Sequence, residues 1–194
     1  MKQRCNAMAC LILYSRIAKT GRTTMLKSQD LVVAAAIGAH GPRPYEALAN
    51  NVGLSVAEAH AATQRLQRAG LVSADRHLNV PQLLELVTHG FRYVWPLETG
   101  GVVQGLPTAG SAPMLHDDDN FPDPPNLPFV WECDGHPDAV SGIAVRPLYA
   151  SVPLAAAKDA ALYLLLALFD AARVPGARER NAAGKKLGAV LAAA

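Results

Sequence analysis

Between Ser55 and Leu71 the chain carries polar and small residues at spacings that bring them to one side of a helix. They are Ala57, His60, Ala61, Gln64, Arg65 and Arg68. The polar members are hydrogen-bond donors, and apart from Glu58 at the start of the stretch this side has no carboxylate. Such a surface favours contact with a polyanion. An ordinary solvent-facing helix is the alternative that the stretch by itself leaves open.

Other residues that could bind a metal or act in catalysis do not complete a recognisable site. Residues 116–119 (HDDD) offer hard metal ligands, and Cys133 with His136 has a spacing found in zinc sites. Both groups lack the second set of ligands that a metal site needs. A solvated acidic loop is therefore the better explanation for residues 116–119, and a loop turn is the better explanation for Cys133 and His136. Residues 108–112 (TAGSA) predict either the lining of a ligand pocket or a simple loop. Motifs for nucleophilic catalysis or phosphate-binding glycine loops are missing, so we predict no enzyme, metal or cofactor.

The helix that carries the donors has a signal at each end. Ser55 and Glu58 have the spacing of a capping box, and Gly70 supplies the C-terminal stop. Its opposite, mostly apolar side consists of Ala59, Ala62, Thr63, Leu66 and Ala69. We therefore expect this helix to rest on a protein core and to expose its donors.

Shorter patterns flank this helix on both sides. Residues 28–39 and 43–51 predict two helices, and residues 52–54 predict the tight turn that leads into the third. Residues 71–74 and 77–80 predict two short paired strands. Helix, short helix, turn and helix make a helix-turn-helix, and the hairpin stands where a winged helix has its wing.

Residues 28–80, a little over a quarter of the chain, resemble a winged helix-turn-helix domain of MarR-like bacterial transcriptional regulators. The resemblance rests on residues 45–49 (YEALA), 52–55 (VGLS) and 62–72 (ATQRLQRAGLV). The last of these matches the common R-L-x-x-x-G-L-V ending. The wing is short for this class of domain, with Arg76 and His77 as its polar residues.

This resemblance implies that the third helix enters the major groove of DNA. The residues implied to read base edges are Ser55, Ala57, His60, Ala61, Gln64 and Arg65. Gln64 is expected to pair with adenine and Arg65 with guanine. The implied phosphate contacts are Arg43, Arg68 and Arg76, and Tyr45 and His77 complete the predicted DNA-binding set. A plain surface role for His60 stays open.

The net charge of +2 conceals an uneven distribution. Residues 1–24 contain five Lys or Arg and no acid, whereas residues 81–150 contain two basic residues against nine Asp or Glu. The net charge is +1 for residues 25–80 and +3 for residues 151–194. A polyanionic partner is therefore expected to meet the first part of the chain. Three scattered cysteines favour a reducing cytoplasm over a disulfide framework.

These patterns divide the chain into four segments. Residues 1–24 predict a poorly ordered basic extension, or an upstream start codon before Met25, in preference to a targeting signal. Residues 25–80 predict the winged helix-turn-helix domain, and residues 81–96 a connecting helix. Residues 97–194 predict a loop-rich arm followed by a helical region for dimerisation or partner binding.

Within the last segment, glycine and proline dominate the arm and predict extended, loop-rich chain with short strands at residues 130–131 and 141–145. Helical patterns return at residues 160–173, capped by Asp159, and at residues 177–193. The apolar side of the first of these helices is too wide for one core-facing stripe. That width favours a subunit contact or a partner surface.

Together these features predict a mainly α fold with a small amount of β structure (α+β), composed of a winged helix-turn-helix domain plus a loop-rich and helical C-terminal region. The expected function is a sequence-specific DNA-binding transcriptional regulator, more often a repressor, that binds double-stranded DNA as a cytoplasmic homodimer. Binding of a small-molecule effector or a protein partner is a further possibility, and no membrane association is expected. The alternative is a winged-helix interaction module, such as the antitoxin-like partner of a two-gene pair.

Overall fold

The computed structural model describes residues 25–116, 121–122 and 126–193. The predicted basic extension at residues 1–24 and the acidic run at residues 117–119 lie outside the described residues. The fold is mixed α/β: a group of N-terminal helices, a small three-stranded sheet, and a group of C-terminal helices.

In chain order the helices are α1 (Ser28–His40), α2 (Tyr45–Val52), α3 (Val56–Arg68), α4 (Val80–Glu85), α5 (Phe91–Val94), α6 (Val152–Ala156), α7 (Ala160–Ala171) and α8 (Ala177–Ala193). The strands are β1 (Thr99–Pro107), β2 (Phe129–Glu132) and β3 (Val140–Val145). A π-helical turn (Leu86–Gly90) joins α4 to α5, and two 3-10 turns (Ala109–Ser111 and Pro113–Leu115) follow β1.

Helix α1 lies at the centre of the N-terminal group. Its side chains from Asp30 to Ile37 are all buried, which requires cover on every side of the helix. Helices α2 and α3 provide part of that cover and α7 provides the rest. The N-terminal helices and the C-terminal region therefore share one hydrophobic core.

Helix α3 begins as its sequence predicts, with one difference. The Ser55 hydroxyl oxygen accepts a hydrogen bond from the Glu58 N–H (3.2 Å). The Glu58 carboxylate does not return to the N-cap residue as a capping box requires. It accepts hydrogen bonds from Gln29 (2.5 Å) and Arg65 (2.6 Å) instead, because a buried ion pair lies beside it.

The hairpin after α3 is shorter than predicted. A single bridge, Val72 to Leu78, replaces two paired strands. The Asn79 N–H donates to the Leu71 carbonyl (2.8 Å) and closes the hairpin next to α3. The connecting helix predicted at residues 81–96 is helical from Val80 to Val94, with a π-helical turn in its middle.

The sequence predicts a loop-rich arm after residue 97, and this prediction is wrong for residues 99–107. They form β1, a strand of nine residues. Strand β1 pairs antiparallel with both β2 and β3, and β2 pairs parallel with β3, so the three strands close on themselves. Gly105 of β1 and Gly142 of β3 serve close backbone approach rather than turns. A Cβ on Gly105 would lie 2.1 Å from the Trp131 carbonyl oxygen, and one on Gly142 would lie 2.4 Å from the Pro128 carbonyl oxygen.

The wide apolar side of α7, which favours a subunit contact or a partner surface in the sequence, has a different explanation in the structure. Leu162, Leu165, Leu168 and Phe169 are each no more than 1% exposed, because α1, α6, α8 and the first 3-10 turn surround the helix within the same chain. Burial in the chain's own core therefore explains its wide apolar surface, and a subunit contact is not needed. Asp159 caps α7 as predicted and accepts from the Leu162 N–H (3.1 Å).

Candidate nucleic-acid interface

The outward side of α3 carries a chain of polar contacts. Gln64 Nε2 lies 3.5 Å from His60 Nε2, and Arg68 Nη2 donates to Gln64 Oε1 (3.3 Å). Because these residues are four apart, they follow one line along the helix. Among the predicted base readers, Ser55, Ala57 and His60 are exposed, and Ala61 and Gln64 are half-buried. Arg68 is exposed at the C-terminal end of the same line.

Tyr45, at the start of α2, joins this line to the hairpin. Its ring meets the His60 ring edge-to-face, with centroids 4.9 Å apart. The Arg76 guanidinium lies over the same Tyr45 ring, 4.9 Å from its centroid. Arg76 Nη1 then donates to the Arg43 carbonyl oxygen (2.8 Å). His77 is exposed on the same hairpin.

We call this connected surface the donor strip: Arg43, Tyr45, His60, Gln64, Arg68 and Arg76. Arg76 holds its place in the strip with a left-handed backbone (φ 68°), which costs a non-glycine residue about 1 kcal/mol. Stacking on Tyr45 offsets part of that cost, since exposed cation–π contacts contribute about 0.5–1 kcal/mol.

Arg65 is not part of the donor strip, and its predicted place on the outer side of α3 is wrong. Its side chain turns inward, leaving the residue 9% exposed. Nε and Nη2 donate to the two oxygens of Asp30 (2.8 and 2.7 Å), and Nη2 also donates to Glu58 (2.6 Å). Asp30 is fully buried in α1 and has to be paired, which draws the guanidinium into the core. The hydrogen bond to Asp30 is the largest cause that raises the pKa of Arg65 above its ordinary value.

Asp30 is the functional neighbour that sequence reasoning missed. The signal is present in the sequence: Asp30 is the only acidic residue in the α1 segment, and the apolar residues Leu31, Val32 and Val33 follow it directly. A lone carboxylate in a segment that is buried all round needs a cationic partner from another element. Arg65 therefore serves to hold α3 against α1, and the pairing with guanine predicted for it is not available in this conformation.

Carboxylates near the donor strip limit its positive potential. Glu46 on α2 and Asp75 on the hairpin are both exposed. Backbone and Ser73 hydroxyl hydrogen bonds hold the pKa of Asp75 below its ordinary value, so it is charged at neutral pH. The strip is thus only moderately basic, in line with the net charge of +1 for residues 25–80.

The other sequence candidates have ordinary structural partners. His136 Nδ1 accepts from the Asp138 N–H (3.2 Å), and across the described residues no three His, Cys, Asp or Glu side chains gather as a metal site requires. Thr108 and Ser111 are buried, where Thr108 donates to Asp170 (2.9 Å) and Ser111 accepts from the Phe129 N–H (3.2 Å). In the part of the chain that the structure describes, no helix has both the length and the apolar character to span a bilayer.

Comparison with known proteins gives no match: no family model, curated protein or solved structure is detectably similar to the chain. A function for the protein therefore has to be argued from its own residues.

Proposed function

We propose that the protein is a sequence-specific transcriptional regulator that binds double-stranded DNA, and that the donor strip is its DNA-binding surface. The observation that carries the proposal is the continuity of the strip. Donors on three turns of α3 connect through Tyr45 to Arg76 on the hairpin and to Arg43, and none of the six side chains is a carboxylate. A helix flanked by a second basic contact suits a major groove bordered by phosphates.

Within this proposal the roles divide along the strip. Gln64 and His60 lie at the middle of α3 and are the candidates for base edges, with Gln64 suited to adenine. Arg68, Arg76 and Arg43 lie at the ends of the strip and suit phosphates, which fix the position of α3 without reading sequence. With Arg65 withdrawn into the core, base readout depends chiefly on Gln64.

The three arginines of the strip, of which Arg43 and Arg68 are exposed and Arg76 is half-buried, support only weak binding by one copy. Three phosphate contacts give a salt slope of about −3, so affinity falls steeply at moderate salt. We therefore propose that the protein acts as a homodimer on an inverted repeat, since two strips double the number of phosphate contacts. Repression is the expected direction of regulation.

The test is fluorescence anisotropy on the DNA upstream of the protein's own gene, against random DNA of the same length, at several salt concentrations. Gln64→Ala should remove the preference for upstream DNA, and Arg68→Ala should weaken binding to both DNAs alike and lower the salt slope by about 1. Matched controls are Gln82→Ala and Arg178→Ala, which change exposed residues outside the strip and should leave binding unchanged. Equal affinity for upstream and random DNA would refute the proposal.

One observation favours a second candidate, a protein-interaction module. The acid-rich segment presents exposed carboxylates at Glu98, Glu132, Asp134 and Asp138, a surface that complements a basic protein. Coexpression with the product of the adjacent gene distinguishes the two. A stable complex that survives Gln64→Ala and Arg68→Ala but is lost when these four acids are neutralised supports the module.

A further inference from the structure

A cavity of about 240 Å³ lies where the N-terminal helices meet the C-terminal region. Ser28, the first residue of α1, lines it together with residues 94–96 at the end of α5, residues 146–148 after β3, Glu98 and Arg173. The cavity thus combines an apolar wall, from residues such as Trp95 and Leu148, with a few polar groups. That combination is typical of sites for small organic ligands.

Arg173 is the unusual member of this lining. It is 5% exposed, and of its side-chain nitrogens only Nη2 donates within the described chain, to Asp170 and to the Arg146 carbonyl oxygen (3.3 Å). Its Nε is the one buried side-chain nitrogen or oxygen that has no hydrogen-bond partner among the described residues. Buried donors are normally satisfied, so an arginine with spare donors beside a cavity points to a missing acceptor.

Asp170 does not meet that need. Its Oδ2 already accepts from Thr108 (2.9 Å) and from the Trp131 indole N–H (2.7 Å), and its Oδ1 accepts from Arg173 Nη2. Burial raises the pKa of the Asp170 carboxyl, against the lowering effect of Arg173 and the other donors. The remaining donors of Arg173, a residue that lines the cavity, are therefore available to an acceptor bound there.

One further feature of the lining favours an anion, a second arginine. Arg146 lies at the edge of the same cavity, exposed and paired with Glu98 (2.9 Å). The lining also includes the apolar side chains of Trp95 and Leu148, which an inorganic anion would leave uncovered.

We propose that this cavity binds a small organic carboxylate. Its anionic head accepts hydrogen bonds from Arg173, and its carbon body packs against Trp95 and Leu148. The volume is below the ~300–1,000 Å³ of pockets for drug-sized ligands, so the ligand is a single small ring or a short chain. This binding does not depend on the proposed DNA contact, because no residue of the donor strip lines the cavity.

The experiment is calorimetric titration of the full-length protein, without DNA, using benzoate as the probe. Benzamide, which has nearly the same shape and no charge, is the comparison ligand. We expect benzoate to bind with a Kd of about 1 mM or tighter and benzamide at least tenfold more weakly. Quenching of Trp95 fluorescence, absent in Trp95→Phe, should follow the same isotherm.

Two variants link the binding to the cavity. Arg173→Gln should weaken benzoate binding at least tenfold while leaving benzamide binding unchanged. Because Arg173 is buried, that variant risks unfolding, so Val94→Trp provides an independent test. Val94 lines the cavity and is 57% exposed, so a larger side chain there obstructs the site without disturbing the core. Tyr93→Trp is the matched control, since Tyr93 is 69% exposed and does not line this cavity.

The proposal holds if benzoate binding is lost in Val94→Trp and kept in Tyr93→Trp. It is overturned if benzoate and benzamide bind equally, or if Val94→Trp binds benzoate as the unchanged protein does. It is also overturned if benzoate, phenylacetate and hexanoate all fail to bind at about 10 mM, which is beyond the affinity range expected for such a site.

Discussion

Each half of the molecule contains a buried aspartate paired with an arginine, and the two pairs differ in how completely they are satisfied. In the N-terminal half, Arg65 contacts both oxygens of Asp30 and also Glu58. In the C-terminal half, Arg173 contacts Asp170 through Nη2 alone and leaves Nε without a partner. A closed pair of the first kind holds helices together. An open pair of the second kind, beside a cavity, retains donors that a ligand can use.

The two aspartates differ in the opposite sense, because Asp170 has more hydrogen-bond donors besides its arginine than Asp30 has. Asp30 depends on Arg65, with the Lys27 N–H (2.9 Å) as its other donor. Asp170 accepts from Thr108 and Trp131 in addition to Arg173. The arginine is therefore indispensable in the first pair and partly replaceable in the second, and the following substitutions measure that difference.

The largest effect is expected for Arg65→Met. It leaves Asp30 buried with one backbone donor, and breaking a buried ion pair on one side costs about 3–5 kcal/mol of the free energy of unfolding. Urea unfolding measures the loss. The double variant Asp30→Leu with Arg65→Met should recover most of it, because no buried charge is left unpaired. If the double variant is no more stable than Arg65→Met, the pair does not act as described.

The same variants separate structure from DNA readout. At a temperature where it is fully folded, the double variant keeps Gln64 and Arg68 on the strip, so it should retain its preference for upstream DNA. Loss of that preference in a folded double variant would mean that Arg65 reads bases after all.

Arg173→Gln should cost less, about 1.5–3 kcal/mol, which is the range for one hydrogen bond to a charged group. Asp170 keeps its donors from Thr108 and Trp131, and the unpaired Nε is removed with the guanidinium. The comparison of the two arginines by urea unfolding in the same buffer tests the contrast directly. A larger loss for Arg173→Gln than for Arg65→Met would reverse it.

Much of the secondary structure could be predicted from local signals, and the exceptions have physical causes. The start of α3 at Ser55, the cap of α7 at Asp159 and the whole of α8 follow from caps and apolar spacing. Strand β1 could not be predicted because glycine usually indicates a turn. Here Gly105 instead allows a partner strand to approach within a distance that a Cβ would prevent.

The donor surface was only partly predictable because it, too, depends on tertiary contacts that local patterns do not contain. Helical spacing places Arg65 near the boundary between the two sides of α3, and periodicity alone cannot decide which way a long side chain turns. The decision comes from Asp30, 35 residues earlier, whose burial depends on the tertiary structure. Likewise, the link from His60 through Tyr45 to Arg76 joins three elements and follows from no single pattern.

The smallest effect is expected at a third aspartate, Asp159, which joins the two halves near the surface. It accepts from His40 (2.5 Å) on α1 and from Asn51 (3.0 Å) on α2 while it caps α7. Burial pushes its pKa up, but the hydrogen bonds from the Leu162 N–H and His40 outweigh burial, and the pKa is below its ordinary value. Ionised Asp159 therefore stabilises the folded state at pH values above about 4, and this stabilisation is lost as the pH falls through the folded-state pKa.

Asp159→Asn keeps a capping oxygen and removes the charge, so it isolates this contribution. At neutral pH we expect a loss of about 0.5–1 kcal/mol in the free energy of unfolding, because an amide oxygen is a weaker acceptor than a carboxylate for the hydrogen bonds from the Leu162 N–H and His40. The difference between the two proteins should shrink towards zero below about pH 4, because protonated aspartate and asparagine are then both uncharged. Urea unfolding at a series of pH values measures it. A difference that widens in acid would show that the carboxylate opposes folding, and that the link between the halves depends on Asn51 and His40 rather than on charge.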